Sequence, residues 1–89
     1  MIEQELHKVI ELALQSLYQG DNTNLQFQKT RKEFEGDVTL VVFPLTRVSK
    51  KSPEQTAEDI GKYLKEIEAL VTDFNVVKGF LNISIDNSF

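Results

Sequence analysis

The chain has 89 residues, 40% of them hydrophobic and 27% charged, which is typical of one ordinary globular domain. It contains no cysteine and a single histidine, so disulfides, thiolate metal sites and histidine-rich metal centres are excluded. The formal charge is −4, which argues against a general polycation, and no apolar run reaches the ~18–20 residues of a membrane span. Residues 1–5 are acidic, and we therefore expect no leader sequence.

The first predicted element is a helix over residues 2–18. Its apolar positions recur with helical spacing and form one stripe, consisting of Ile2, Leu6, Val9, Ile10, Ala13, Leu14 and Leu17. Gly20 is well placed to end this helix in a left-handed conformation, and residues 21–24 form a cluster typical of turns.

Two strands are predicted next. Residues 25–30 alternate apolar and polar side chains, which predicts a half-buried strand with Leu25 and Phe27 inward and Gln26, Gln28 and Thr30 outward. Residues 38–43 are apolar except for Thr39 and are followed by Pro44, as expected of a central strand. Gly36 and Asp37 are predicted to form the turn that leads into it, and the short connection favours antiparallel pairing.

The second half begins with a predicted loop over residues 45–51, followed by a strong helix start. Ser52 can cap the helix, Pro53 suits the first helical position, and Gln55 can complete a capping box. The helix should run to about residue 69, with its apolar stripe at Ala57, Ile60, Leu64, Ile67 and Leu70. Gly61 lies inside this helix, where we expect it to permit close packing.

Residues 73–77 and 80–85 are predicted as two further strands joined around residues 78–79. The predicted fold is therefore an α+β two-layer α/β sandwich of order α-β-β-α-β-β, one domain over residues 1–89. Its four-stranded, mainly antiparallel sheet should carry both helices on one face. The other face would present Val41, Phe43, Val77 and Phe80, which is apolar enough to need a cover.

The sequence offers little support for catalysis, and we predict no catalytic residue and no metal site. His7 is interpreted as a surface histidine, and the glycines at 20, 36, 61 and 79 form no phosphate-binding motif. We interpret Glu33, Glu35 and Asp37 as solvated turn charges, because they lie among lysines and arginines.

One segment does carry chemical information, because polar, basic and aromatic side chains are mixed over residues 26–37. Residues 22–51 hold six basic and three acidic side chains in an otherwise acidic chain. Donors such as Lys29 and Arg31 suit phosphates, and Phe34 offers a stacking surface. The alternative is a solvated strand edge whose charges deter edge-to-edge pairing, and the composition favours that alternative.

Three segments of the sequence carry motifs of a known family. Residues 34–39 (Phe-Glu-Gly-Asp-Val-Thr) contain a phenylalanine–glycine–aspartate turn with one extra residue. Pro53, Ala57 and Ile60 form the pattern of a helix, and residues 79–83 read Gly-Phe-Leu-Asn-Ile. In order and spacing these motifs resemble the turn, the second helix and the last strand of the N-terminal additional domain of bacterial arginyl-tRNA synthetases, which contacts the tRNA D-loop. Together they extend the resemblance over roughly residues 2–86.

The resemblance implies a non-catalytic domain of a larger cytoplasmic ligase, with tRNA(Arg) and the catalytic domain of the same chain as partners, and neither DNA nor a membrane. The parent enzyme would use ATP and Mg²⁺, while this fragment would hold no cofactor. The His-Ile-Gly-His and Lys-Met-Ser-Lys-Ser signatures of the catalytic domain are missing. Residues 48–52 are only superficially like the second signature, because they lead into a helix cap without a nucleotide-binding βαβ unit.

The composition of the basic middle segment, taken together with the resemblance, indicates which residues would contact RNA. The expected contacts are Gln28, Lys29, Arg31, Lys32, Phe34, Gly36, Asp37 and Asn82, and a second basic group comprises Arg47, Lys50 and Lys51. Members of the family often have Tyr-Gln where this chain has Val38-Thr39, so a glutamine contact from that position is not expected here. A structural or protein-interaction module that packs its apolar sheet face on a neighbouring domain is the alternative function.

Overall fold

The computed structural model describes residues 2–18 and 25–86. The elements are α1 (Ile2–Tyr18), β1 (Phe27–Lys29), β2 (Val38–Val41), a 3₁₀ turn (Phe43–Leu45), the short α2 (Thr46–Ser49), α3 (Pro53–Ile67), β3 (Val71–Val77) and β4 (Phe80–Ile85). This confirms the predicted α-β-β-α-β-β order of the main elements. The predicted cap at Gly20 and the turn at 21–24 lie outside the described residues.

The four strands form one antiparallel sheet in the order β1-β2-β4-β3. The central strand β4 pairs with both β2 and β3, and a two-residue turn joins Val77 of β3 to Phe80 of β4. Lys78 occupies the first turn position with φ 55°, a left-handed conformation suited to a tight hairpin. Residues far apart in the sequence, such as Thr39 and Asn82, therefore lie side by side on the same sheet.

One hydrophobic core lies between the sheet and the two long helices. It includes Leu6, Ile10 and Leu14 of α1, Ile60 and Leu64 of α3, and Leu40, Leu81 and Ile83 of the sheet. Leu81, Ile83 and Ile85 alternate along β4 and all belong to this core. We call the sheet face that contacts the helices the inner face and the opposite one the outer face. Within the described residues, no helix is long and apolar enough to cross a membrane.

The start of α3 has the predicted cap, because the Ser52 hydroxyl accepts a hydrogen bond from the Gln55 backbone N–H at 3.1 Å. Gly61 has the packing role expected of it, because a Cβ at this position would lie 2.7 Å from Cγ of the Phe74 ring. Only a glycine lets this helix approach the inner face of β3 so closely.

Several predicted boundaries are wrong. Strand β2 ends at Val41, because a 3₁₀ turn with Pro44 as its second residue begins at Phe43 and continues into α2 in place of the predicted loop. Strand β1 is limited to residues 27–29, β3 begins two residues early, and α3 ends at Ile67. The apolar stripes are shorter than predicted, because Leu17 and Ile67 are exposed at the C-terminal ends of their helices.

Candidate nucleic-acid interface

Two rows of side chains cross the outer face of the sheet. Strand register aligns Gln28 of β1, Thr39 of β2, Asn82 of β4 and Asn75 of β3, which form a polar row. The next row on the same face is apolar and consists of Val41, Phe80 and Val77. The chemistry of the outer face thus changes from polar to apolar within one step along the strands.

The connection between β1 and β2, residues 31–36, folds across this outer face. Gly36 has φ +138°, and a Cβ there would lie 3.2 Å from atoms of both Asn82 and Thr30. This backbone conformation is rare for other residues, so the sequence needs glycine where the turn touches the sheet. At Glu35 the backbone carbonyl accepts a hydrogen bond of 2.7 Å from Nδ2 of Asn75, on the far strand.

Beneath the turn, buried side chains are joined by hydrogen bonds. The hydroxyls of Thr30 and Thr39 are 2.8 Å apart, and Thr39 donates to Oδ1 of Asn82 at 2.6 Å. Asn82 in turn donates to Oδ1 of Asn75 at 2.9 Å. Thr30 points outward as predicted, yet it is buried because the turn covers it. No buried side-chain N or O atom of the described residues lacks a partner.

A groove of about 290 Å³ opens on the outer face beside this turn. It is lined by Gln28, Arg31, Phe34, Thr39, Val77, Lys78, Phe80 and Asn82. Arg31 and Lys78 bring positive charge to it, and Phe34 and Phe80 bring aromatic rings. Phe34, which belongs to a turn of charged residues, is 37% exposed. The groove therefore combines the two features that bind single-stranded nucleic acid, which are stacking surfaces and cations.

Four of the residues expected to contact RNA line this groove, namely Gln28, Arg31, Phe34 and Asn82. Lys29 does not, because it pairs with Val38, whose side chain packs on the core, so Lys29 lies on the helix side of the sheet. Lys32 is exposed on the turn but is not part of the groove lining.

Gly36 and Asp37 support the turn from beneath. The Asp37 backbone N–H donates to the carbonyl of Ile83, and its carboxylate accepts from the N–H of Ile85, each at 2.8 Å. These bonds anchor the end of the turn to β4. Asp37 therefore has a structural task in addition to being the exposed turn charge that the sequence predicted.

In the second basic group, Arg47 lies within α2, and Lys50 and Lys51 follow the end of that helix. Arg47 and Lys50 are exposed, and Lys50 adopts φ 58° as the C-cap of that helix. Lys51 is engaged elsewhere, because its ammonium lies 2.9 Å from Asp59 of α3 and 5.7 Å from the centre of the Tyr18 ring.

Asp59 joins α1, α3 and the segment after α2 through its carboxylate. Burial alone would raise the pKa of Asp59, but hydrogen bonds from Lys51, Gln55 and Tyr18 outweigh it and lower that pKa. Burial and the adjacent carboxylate raise the pKa of Tyr18, so its hydroxyl stays protonated and donates to Asp59. Lys51 thus stabilises the helical layer.

The apolar row continues past the end of β2 to Phe43. The rings of Phe43 and Phe80 meet edge to face, with centroids 6.3 Å apart and planes at 86°. Phe43 also lies directly over Gly79, where a Cβ would collide with its ring. Although it packs in this way, Phe43 remains 52% exposed, so the predicted apolar patch is present on the outer face.

The described residues do not bring together the acidic, histidine or cysteine ligands of a metal centre. Nε2 of His7 lies 3.7 Å from a carboxylate oxygen of Glu11, one helical turn along α1, as expected of a surface pair. Sequence reasoning missed Lys78, Thr39, Val77 and Phe80 as groove residues. Lys78 could have been found from the two-residue hairpin between β3 and β4, but the other three need the register across β2, β4 and β3.

Comparison with known proteins is consistent with a nucleic-acid interface at the groove. The sequence matches the family model described as the arginyl tRNA synthetase N terminal domain over residues 4–85. It is 53% identical over 87 residues to the arginine–tRNA ligase of Parabacteroides distasonis and 54% identical over 87 residues to that of Phocaeicola vulgatus. These alignments cover 96% and 94% of this chain but only 15% and 14% of the two ligases.

A solved structure shows the same fold. The Thermus thermophilus arginyl-tRNA synthetase superposes with a TM-score of 0.78 and 24% sequence identity. The match covers 99% of this chain and 14% of that one. The antiparallel sheet with helices on one face therefore occurs as a small part of a much longer protein.

Proposed function

Because the chain belongs to the arginyl-tRNA synthetase N-terminal domain family, we propose that it docks tRNA(Arg) on a longer ligase through the groove on its outer face. The target is the outer corner of the tRNA, where bases of the D-loop are unpaired. Arginine activation with ATP and Mg²⁺ belongs to the catalytic domain of that ligase, and this domain contributes binding.

The observation that carries the proposal is the position of Phe34. Its ring is held at the groove by a turn, and Arg31 from the same turn lines the groove with it. An unpaired base can stack on such a ring, and base–aromatic stacking contributes ~1–3 kcal/mol by alanine substitution. Phe34 is 37% exposed, so the residue keeps a surface that is available for stacking.

Cations complete the site. Arg31 lines the groove from the turn and Lys78 from the β3–β4 hairpin, so a strand that passes between them can place its phosphates against both. Each neutralised phosphate adds a slope of roughly −0.7 to −0.9 to log affinity against log salt. Gln28, an exposed amide at the same groove, offers both a donor and an acceptor to a base edge.

The test uses the full-length ligase that carries this domain, with Phe34→Ala and Arg31→Ala. Phe34→Ala should raise KM for tRNA about 5- to 150-fold, which is the range equivalent to ~1–3 kcal/mol. It should leave kcat at saturating tRNA and the melting temperature of the domain nearly unchanged. Arg31→Ala should reduce the magnitude of the salt slope by about 0.7–0.9.

Lys62→Ala is the matched control, because Lys62 lies on α3, away from the groove, with a side chain 70% exposed. Its ion pair with Glu58, at 3.8 Å, is of the exposed kind that contributes ~0.3–0.5 kcal/mol. Removing it should change neither KM nor the slope appreciably. A melting temperature lowered by several degrees in Phe34→Ala, with unchanged KM, would make Phe34 a packing residue and refute the proposal.

The half-exposed ring of Phe43 favours a second contact on the same face, in which the apolar row packs against a neighbouring domain of the ligase. Phe43→Ser in the full-length protein should then loosen that packing and speed proteolysis between the domains. Unchanged proteolysis would mean that the row faces RNA or solvent.

A further inference from the structure

The groove depends on a residue that does not line it. Asn75 lies on β3, an edge strand of the sheet, and its amide reaches the turn that follows β1 at the other edge. Three strand spacings, about 14 Å, separate those two edges. The turn therefore extends well beyond the two strands it connects, and Asn75 holds it at its farthest point.

The hydrogen bonds beneath the turn run in one direction. Thr39 uses its only hydroxyl hydrogen on Asn82, so Thr30 must be the donor to Thr39. Because Asn82 accepts through Oδ1, it is Nδ2 of Asn82 that donates to Asn75. Asn75 then has its oxygen occupied and turns its own Nδ2 towards the carbonyl of Glu35.

This order fixes the orientation of the Asn75 amide. Rotation by 180° would place two amide nitrogens against each other at Asn82 and two oxygens against each other at Glu35. Asn82 is only 2% exposed, so water has little access to repair the mismatch at that end of the amide, whereas the bond to Glu35 is exposed. Asn75 therefore connects the buried, fully paired side chains of Thr39 and Asn82 to the exposed backbone of the turn.

The held carbonyl belongs to the residue next to Phe34. Behind it, the Phe34 N–H donates to the Arg31 carbonyl at 3.0 Å, so both groove residues belong to one tight turn. We infer that Asn75 is a positioning residue for RNA binding, which fixes Phe34 at the groove through its hydrogen bond to Glu35. The inference rests on the proposed function, since the ring that is positioned is the one that stacks.

A double-mutant cycle in the full-length ligase tests this inference. Asn75→Ala should raise KM for tRNA about fivefold to tenfold, equivalent to ~1–1.4 kcal/mol, with kcat at saturating tRNA unchanged. In the Phe34→Ala background the same substitution should change KM less than twofold, because the ring it positions is already gone. Thr72→Ala is the control, since this exposed β3 residue bonds the Ser84 carbonyl and not the turn.

Hydrogen–deuterium exchange supplies a direct measurement of the turn. In Asn75→Ala without tRNA, amides of residues 31–37 should exchange at least tenfold faster, while those of α3 keep their rates. Asn75→Asp serves as a second variant that still accepts from Asn82 but cannot donate to Glu35. It should reproduce the faster exchange of the turn if Asn75→Ala is too unstable to measure.

The outcomes separate the two proposals. Equal KM effects of Asn75→Ala with and without Phe34 would mean that Asn75 acts by general stability, which overturns the inference alone. An unchanged KM for Asn75→Ala together with a raised KM for Phe34→Ala would also overturn the inference alone. A normal KM for Phe34→Ala would refute the proposed function itself and the inference with it.

Discussion

Gly61→Ala tests whether the contact of α3 with the sheet depends on a missing side chain. The added methyl would lie 2.6 Å from Cε2 and 2.7 Å from Cγ of Phe74, about 1 Å inside normal contact distances of ~3.5–4.0 Å. Either the ring or the helix must move. Forcing an extra carbon into a packed interior typically costs 1–3 kcal/mol, whereas alanine gains ~1 kcal/mol of helix propensity over glycine.

The balance predicts a net loss of up to ~2 kcal/mol in the free energy of unfolding. For a domain of this size, each kcal/mol lowers the melting temperature by ~4–8 °C, which thermal unfolding followed by circular dichroism can measure. Lys62→Ala, at the next position of the same helix, is exposed and should change the melting temperature little.

Measuring Gly61→Ala in a second genetic background makes the test of the steric contact more specific. Phe74→Leu removes the ring that a methyl at Gly61 would strike, so in that background Gly61→Ala should become neutral or stabilising by up to ~1 kcal/mol. A stabilising effect of Gly61→Ala in the unmodified chain, or the same loss in both backgrounds, would refute the steric account.

Two further predictions concern other constrained positions. Gly36→Ala should destabilise the domain by ~1–3 kcal/mol in chemical denaturation, because φ +138° is strained for alanine and the methyl would press on Thr30. Asp59→Asn should lower stability by about 1 kcal/mol at pH 7, since it loses charge-assisted bonds. Because the pKa of Asp59 is lowered on folding, its contribution is present above the unfolded value of 3.8 and is lost as the pH falls through the folded pKa. The difference in stability between the two proteins should therefore shrink below pH ~4, and a constant difference would contradict the assignment.

Much of the fold could be predicted because the inner face follows local rules. The cap at Ser52, the alternation of residues 80–85 and the helical stripe of α1 are each visible within a few neighbouring residues. The prediction for residues 43–49 is wrong because Pro44 is compatible with two different structures. A proline ends a strand, but it also suits the first turn of a helix, and nothing local decides between them.

The candidate site was only partly predictable, because it depends on register between distant strands. The mixture of polar, basic and aromatic residues at 26–37 pointed to the right turn, and Gln28, Arg31 and Phe34 do line the groove. Thr30 illustrates the limit. Alternation placed it outward and therefore in solvent, whereas the turn folds back and buries it. Asn75 carries no sequence signal, since its partner Glu35 lies 40 residues away.

Substitutions on the two faces of the sheet should have different effects on stability and binding, because the two faces are packed differently. Inner-face residues such as Leu81 are fully buried in the core, where truncation to alanine costs ~2–5 kcal/mol and alters every function that needs the fold. At the groove, Phe34 and Gln28 are exposed, so their loss should affect binding far more than stability. Thr39 and Asn82 combine both properties, because they are buried and yet support the turn. A substitution at either position that changes tRNA binding therefore indicates a direct contact with tRNA only when the hydrogen–deuterium exchange rates of the turn are unchanged.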